Sequence, residues 1–563
     1  MISRIKCLVK KWSRALAAAL SILLAAATLS ACSLGRGWRN GKWEVKDMKN
    51  GEVPDAEFCE DFKVSNVFSD NMVLQRNEHV RVWGFADESQ NGKKVCGEFK
   101  GVTAEALVED GEWVLTFKQR LQADPKGAEL KIYTDKKEVV FKDVLVGDVY
   151  IVSGQSNAEY PMGIHWMFLG ENDDRCPRDS IDAELPIRLN YKGQNYQNGV
   201  KVRGSEELAK DIDDGLPGWQ YATADNLEGF SAIGYLFAYH YVKMTGGAVP
   251  VGLVELDGSG RPLGCFVPNE VADKYGTDFY SSTKGYYVTE GINAEWGRFM
   301  FNEYFHPFAK MAINGFLWYQ GESDLLDETT KRYNDAFIGM VEHMRDTHNL
   351  INRDFPVYFI EFPAIFTQDP EYTGTDNWAF LDVGRIRATM GSLVMEGKNF
   401  YQIQSSDLWT DRKYWNSLHP NCKYEQGQRA AKIACALNED GGQQLSEASG
   451  PIVESITYSS DLRKATVKYK NVGYGLTTAN GDRYVKGFNV LVARHVIGAG
   501  VECKAKIVSR DTVEITADIP FVGVCYNAIT TWVYGEDITL TNSSGVPAGA
   551  FLHNYLGGGV KTT

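Results

Sequence analysis

Between residues 146 and 445, short apolar runs alternate with stretches of helical period, and that alternation leaves few architectures open. The runs are Val149–Val152, Ile187–Leu189, Val249–Leu256, Ile313–Tyr319, Val357–Ile360 and Phe400–Ile403. Between them Phe230, Ile233, Gly234, Phe237 and Tyr241 share one helical face. Tyr333, Phe337, Met340, Val341 and Met344 share another, and Ala430, Ile433, Ala434 and Leu437 a third. A strand that is apolar throughout is buried on both faces, and helices on each side of a sheet bury it so. The expected fold is a three-layer α/β domain with a mostly parallel sheet over 146–445.

The flanks read differently. Residues 60–145 hold short alternating runs such as Val80–Trp83, Trp113–Phe117 and Leu130–Tyr133, separated by Gly, Asn and Asp turns. Residues 450–563 repeat that style at Ile456–Tyr458, Ala465–Tyr469 and Thr512–Ile515. Both segments are expected to be β-sandwich-like domains. At roughly 100–200 residues per domain, the 563 residues suit this division.

The N-terminus reads as an address. Arg4, Lys6, Lys10, Lys11 and Arg14 precede the uncharged run Ala15–Leu29, and Leu29-Ser30-Ala31-Cys32 follows. A basic start, a short apolar run and small residues before a cut make a secretory signal. The run is shorter than the ~20 residues needed to cross a bilayer. The Cys after small residues resembles the lipobox of bacterial lipoproteins. Residues 1–32 are thus expected to be a leader ending at a lipidated Cys32, and 33–58 a polar tether. Such a protein is exported and anchored by lipid at the cell surface or a periplasm-facing membrane. The balance of 59 Lys+Arg against 73 Asp+Glu argues against a nucleic-acid partner, whose phosphates need basic surface. No cysteine pair has CxxC spacing, so no zinc site is expected. Cys503 and Cys525 lie in one β-rich segment and are a possible disulfide, with buried free thiols the alternative. No HExxH or P-loop pattern occurs, and no cofactor is expected.

In a parallel α/β sheet, ligands bind beyond the carboxyl ends of the strands. Ser153-Gly154-Gln155-Ser156-Asn157 follows the first run, which makes Ser156 either a nucleophile on a strand-to-helix turn or a helix N-cap. Asp257-Gly258-Ser259-Gly260 follows the third, either a backbone anion site or a plain turn. Gln320-Gly321-Glu322-Ser323-Asp324 crowds polar side chains after the fourth. His419 lies in the loop after the sixth, on the same rim as Ser156.

These turns, in this order, resemble the SGNH-type hydrolases, and in particular the sialate O-acetylesterase family and its acetylxylan-esterase relatives. Phe68–Arg76, Val144–Tyr150, Val249–Leu253, Trp318–Ser323, Leu418–Lys423 and Asn542–Ala548 also resemble that family's motifs, over roughly residues 60–555. The chain departs from it at Ala158, at Gly258–Arg261, at Leu381–Arg385, and at Asn416, where many SGNH enzymes carry Asp.

The resemblance implies a carboxylic ester hydrolase acting on acetylated carbohydrate. Ser156 would attack the acetyl carbonyl and His419 would act as base. The N–H groups of Ser156 and Gly260 would hold the oxyanion, with the Gln320 side-chain amide as a further donor. Asn416 carries no charge, so Glu322 is the first choice to orient His419, with Asp411 and Asp407 as alternatives. O-acetylated sialic acid is the expected substrate. Its carboxylate would suit Arg261 or Arg76. Two alternatives are an acetylxylan or other plant-polysaccharide esterase, with Trp166 and Trp409 near the motifs, and a carbohydrate-binding lipoprotein with a decayed site.

Overall fold

The computed structural model describes residues 36–39, 42–45, 56–170, 173–191, 207–212, 215, 217–275, 300–324, 332–348, 354–363, 383–408, 419–478, 481–492, 501–528 and 540–554. The chain divides into two compact units, Met1–Ala56 and Glu57–Thr563. Within the first unit, the segment expected to be a tether holds an antiparallel hairpin of strands Arg36–Arg39 and Lys42–Val45. Cys32 lies outside the described residues.

In the second unit all six apolar runs are strands. The central one, Glu138–Gly154, is buried from Val144 to Gly154. Val251–Glu255 pairs with it in parallel on one side and Gly315–Tyr319 on the other. Ile187–Tyr191 continues the sheet outward from the first of these, and Val357–Ile360 then Phe400–Ile403 from the second, all in parallel. Their carboxyl ends therefore share one rim. The three expected helices form as Ala232–Met244, Tyr333–His348 and Lys423–Leu437. The first and third pack closely at Gly427, where an added Cβ would stand 2.8 Å from the backbone nitrogen of Phe237.

One expectation about organisation is corrected. Over 146–445 the strands pair in parallel except at the edge strand Gln220–Tyr221, and the N-terminal segment joins the same eleven-stranded sheet, in part with antiparallel pairs, so that the whole is mixed. For the same reason residues 60–145 are not a separate domain. The 17-residue central strand crosses the expected boundary at 145/146 and, at about 3.3 Å per residue, serves both parts. Trp83 and Trp113 belong to the same continuous core as Tyr150, Phe237 and Trp318. The C-terminal segment differs: its five-stranded and four-stranded antiparallel sheets enclose a core of their own around Val467, Val513, Val524 and Phe551. Cys503 and Cys525 are free thiols, as are the other described cysteines.

Candidate active site

Three strand ends meet at the rim, and backbone contacts fix them. Gly154 ends the central strand with φ +139°, and a Cβ there would stand 2.0 Å from the carbonyl oxygen of Tyr319. Only a glycine lets the chain turn this close to its neighbour. Gln155 N–H then donates to Tyr319 O at 3.1 Å, and Gly258 N–H donates to Gly154 O at 3.0 Å. Ser156 opens the short helix Ser156–Glu159 in this turn.

The loop before Lys423–Leu437 brings His419 to the same place. His419 Nε2 lies 2.7 Å from Ser156 Oγ across 263 positions of sequence. Burial first, and the positive charge of Lys423 second, push the imidazole down to about 4. It is therefore neutral at pH 7, the form that accepts a proton. Among the described residues no acceptor meets the backbone N–H of Ser156 or of Gly260, which has φ +68°. A pair of unclaimed donors beside a hydroxyl–imidazole contact is the arrangement that acyl transfer requires.

Several expected roles are corrected by what these side chains touch. The Gln320 amide nitrogen faces three acceptors: Asp324 Oδ2 at 2.6 Å, Gln155 Oε1 at 3.1 Å and Arg261 O at 3.1 Å. It has only two N–H groups, so none remains for an oxyanion. Tyr333 hydroxyl donates to its Oε1 at 2.8 Å, which completes a brace rather than a catalytic contact. Glu322 accepts a hydrogen bond from the Asn157 amide, and no bond or ion pair joins it to His419 among the described residues. Burial raises its carboxyl to about 7. Asp407 is held by Arg429 in two parallel bonds of 2.6 and 2.7 Å, and no bond joins it to His419 among the described residues. Asp411, Asn416 and Trp409 lie outside the described residues.

Arg76 is distant from the rim. It forms a two-pronged pair with Asp148, both bonds 2.8 Å, and also meets Asp440. Asp148 is eight residues before Ser156 on the central strand, roughly 25 Å away at the strand's rise per residue. Arg261 does lie at the rim, where its positive charge acts on Glu159. Trp166 is covered by the Arg178 guanidinium at 5.1 Å.

Four residues to which the sequence alone assigned no role hold the turns together. Gln155 Oε1 accepts from Gly321 N–H at 3.3 Å and Ser323 N–H at 3.1 Å. Glu159 ends the helix of Ser156 close to the turn of Gly260: burial raises its carboxyl, and Ser259 in that turn acts to lower it. Asn157 bonds Glu322 on one side and, at 2.8 Å, the buried ammonium of Lys423 on the other. Lys423 did leave a signal in the sequence. It lies seven residues before Ala430, on the helical stripe that faces the core, where a charge has no access to water.

Fold and site define an α/β hydrolase of carboxylic esters, and the family follows from the comparisons. Residues 146–432 match the model of the carbohydrate esterases described as sialic acid-specific acetylesterases. The chain belongs to that family. Human sialate O-acetylesterase is 24% identical over 423 residues, 70% of this chain and 74% of that protein. The mouse enzyme is 26% identical over 350 residues, 56% of this chain and 60% of that protein. The crystal structure of a carbohydrate acetylesterase from Xanthomonas citri, XAC1771, matches the fold with a TM-score of 0.65 at 22% identity. That match covers 88% of this chain and all of the other.

Proposed function

We propose that this chain is a serine esterase that removes O-acetyl groups from sialic acids through an acyl-enzyme on Ser156. The observation that carries this reading is the 2.7 Å contact between Ser156 Oγ and a neutral, half-buried His419 at the rim of the sheet. His419 takes the hydroxyl proton as Ser156 attacks the acetyl carbonyl. The Ser156 and Gly260 N–H groups hold the oxyanion, so the hole is built from backbone. The imidazolium returns the proton to the departing sugar oxygen. A water then attacks the acetyl-serine, again with His419 as base, and acetate leaves. Asp411, in the histidine's own loop, is the acid we assign to His419, because Glu322 and Asp407 are turned elsewhere. Arg261 is assigned to the substrate carboxylate, from its place beside the Gly260 turn.

The curated relatives are sialate O-acetylesterases, which supports the sialic acid reading over acetylxylan. The Arg178 guanidinium over Trp166 also leaves that ring less open as a sugar platform. The test is acetate release from O-acetylated sialic acid, acetylated xylan and 4-nitrophenyl acetate by the same preparation. Turnover highest on sialic acid is expected, and reduced turnover for Arg261→Ala on that substrate alone. Faster release from xylan would overturn the substrate assignment. We further propose export and lipidation at Cys32, from the order of basic, apolar and small residues before it.

A further inference from the structure

Lys423 is fully buried, yet it carries an ammonium. Burying such a group is costly unless it is hydrogen-bonded and paired. Its Nζ donates to Asn157 Oδ1 at 2.8 Å and to the carbonyl of Pro420 at 2.8 Å. The rings of Tyr160 and Tyr319 each lie 4.8 Å from it. Asn157 passes the link on to Glu322, whose other oxygen, Oε2, is buried without a partner. The ammonium thus reaches the Glu322 carboxyl through one side-chain amide.

The two hydrogen-bond partners are what give this cation a function. Asn157 follows Ser156 in the chain, and Pro420 follows His419. A single ammonium therefore grips the neighbour of each member of the Ser–His pair, although the two loops are 263 positions apart. We propose that Lys423 is a positioning residue that fastens the Ser156 turn to the His419 loop and so sets the distance between hydroxyl and imidazole. This rests on the reading that Ser156 and His419 perform the reaction. A point charge suits the task, because its three N–H groups reach acceptors on separate loops. A purely structural lysine would need neither of these two partners in particular.

Lys423→Met keeps an unbranched chain between the two tyrosines and removes the grip. Misplacing reacting groups by ~1 Å costs on the order of 10²-fold. We expect kcat to fall roughly 10–10²-fold with KM within about twofold, because the sugar site is untouched. Asn157→Ala breaks the same link from the other end and should give a similar loss. The double variant should be no worse than the poorer single one, since both act through one connection. Should Lys423→Met fail to fold, Asn157→Ala alone carries the test through the same split between kcat and KM. Unchanged kcat in the folded variant, a loss confined to KM, or losses that add in the double variant would overturn the proposal. Ser156→Ala, assayed alongside, separates the two readings: full activity there removes the serine mechanism itself.

Discussion

His419 is pushed down to about 4 from the ordinary 6.5 by burial and by Lys423. A lowered imidazole is neutral above that value and protonated below it. The base is thus present above pH 4 and lost below, and the acid limb of kcat/KM should fall near pH 4 rather than near 6.5. A pH–rate profile of the free enzyme reads this directly. Lys423→Met removes the cation that opposes protonation, so the limb should rise toward 6.5. The carboxylates separate in the same assay. A glutamine at 322 still accepts the Asn157 amide, so Glu322→Gln should cost less than about tenfold. Asp411→Asn should cost roughly 10²–10⁴-fold in kcat, the scale of losing the acid that orients a catalytic imidazole. A crippling Glu322→Gln beside a mild Asp411→Asn would return the role to Glu322. The sequence placed Glu322 on the correct rim because rim position follows from strand order. It gave no sign that Asn157 would claim the carboxylate, since that depends on side-chain direction within one turn.

Among the elements, the strand Val251–Glu255 stores an unusual charge arrangement. Glu255 and Asp257 are fully buried, and burial, reinforced by Asp257 at Glu255 and by Glu159 at both, raises each well above the ordinary carboxylate range. One of the pair must hold a proton. A raised acid contributes stability below its unfolded value, and that contribution is lost as pH rises through the folded value. Glu255→Gln keeps an acceptor for Ser231 N–H, which donates to Glu255 at 2.9 Å, and gains a permanent donor. It should raise Tm at pH 8 by about 1–2 °C, the shift expected of roughly 1 kcal/mol in a large domain, and leave it unchanged at pH 4. Thermal denaturation at the two pH values decides this. The elements themselves were largely legible. The bounds of Val357–Ile360 are legible because that fully buried strand is a continuous apolar run, and Phe400–Ile403 matches its expected bounds although it carries Gln402. The apolar run Val149–Val152 is four residues of a strand of seventeen, whose first part, Glu138–Asp143, mixes Val and Phe with charged residues and is only partly buried.

At the scale of the whole molecule, that long strand explains why the N-terminal segment is part of the catalytic unit. Its strands complete the sheet that positions Ser156, and its aromatic residues fill the same core. The sequence concealed this because each half of the strand obeys its own pattern. The Cys32 proposal belongs here too. Cys32→Ala should move the protein from the membrane fraction to the soluble one, and equal retention of the variant would contradict lipidation. The central claim is that a covalent acetyl-serine forms at residue 156. Acid-quenching wild-type protein during turnover of O-acetylated sialic acid, followed by peptide mass analysis, tests it directly. The expected result is one acetyl group on the peptide that contains Ser156, and none in Ser156→Ala, whose acetate release falls at least ~10³-fold. An unmodified peptide, or a Ser156→Ala variant that releases acetate at the wild-type rate, would contradict it.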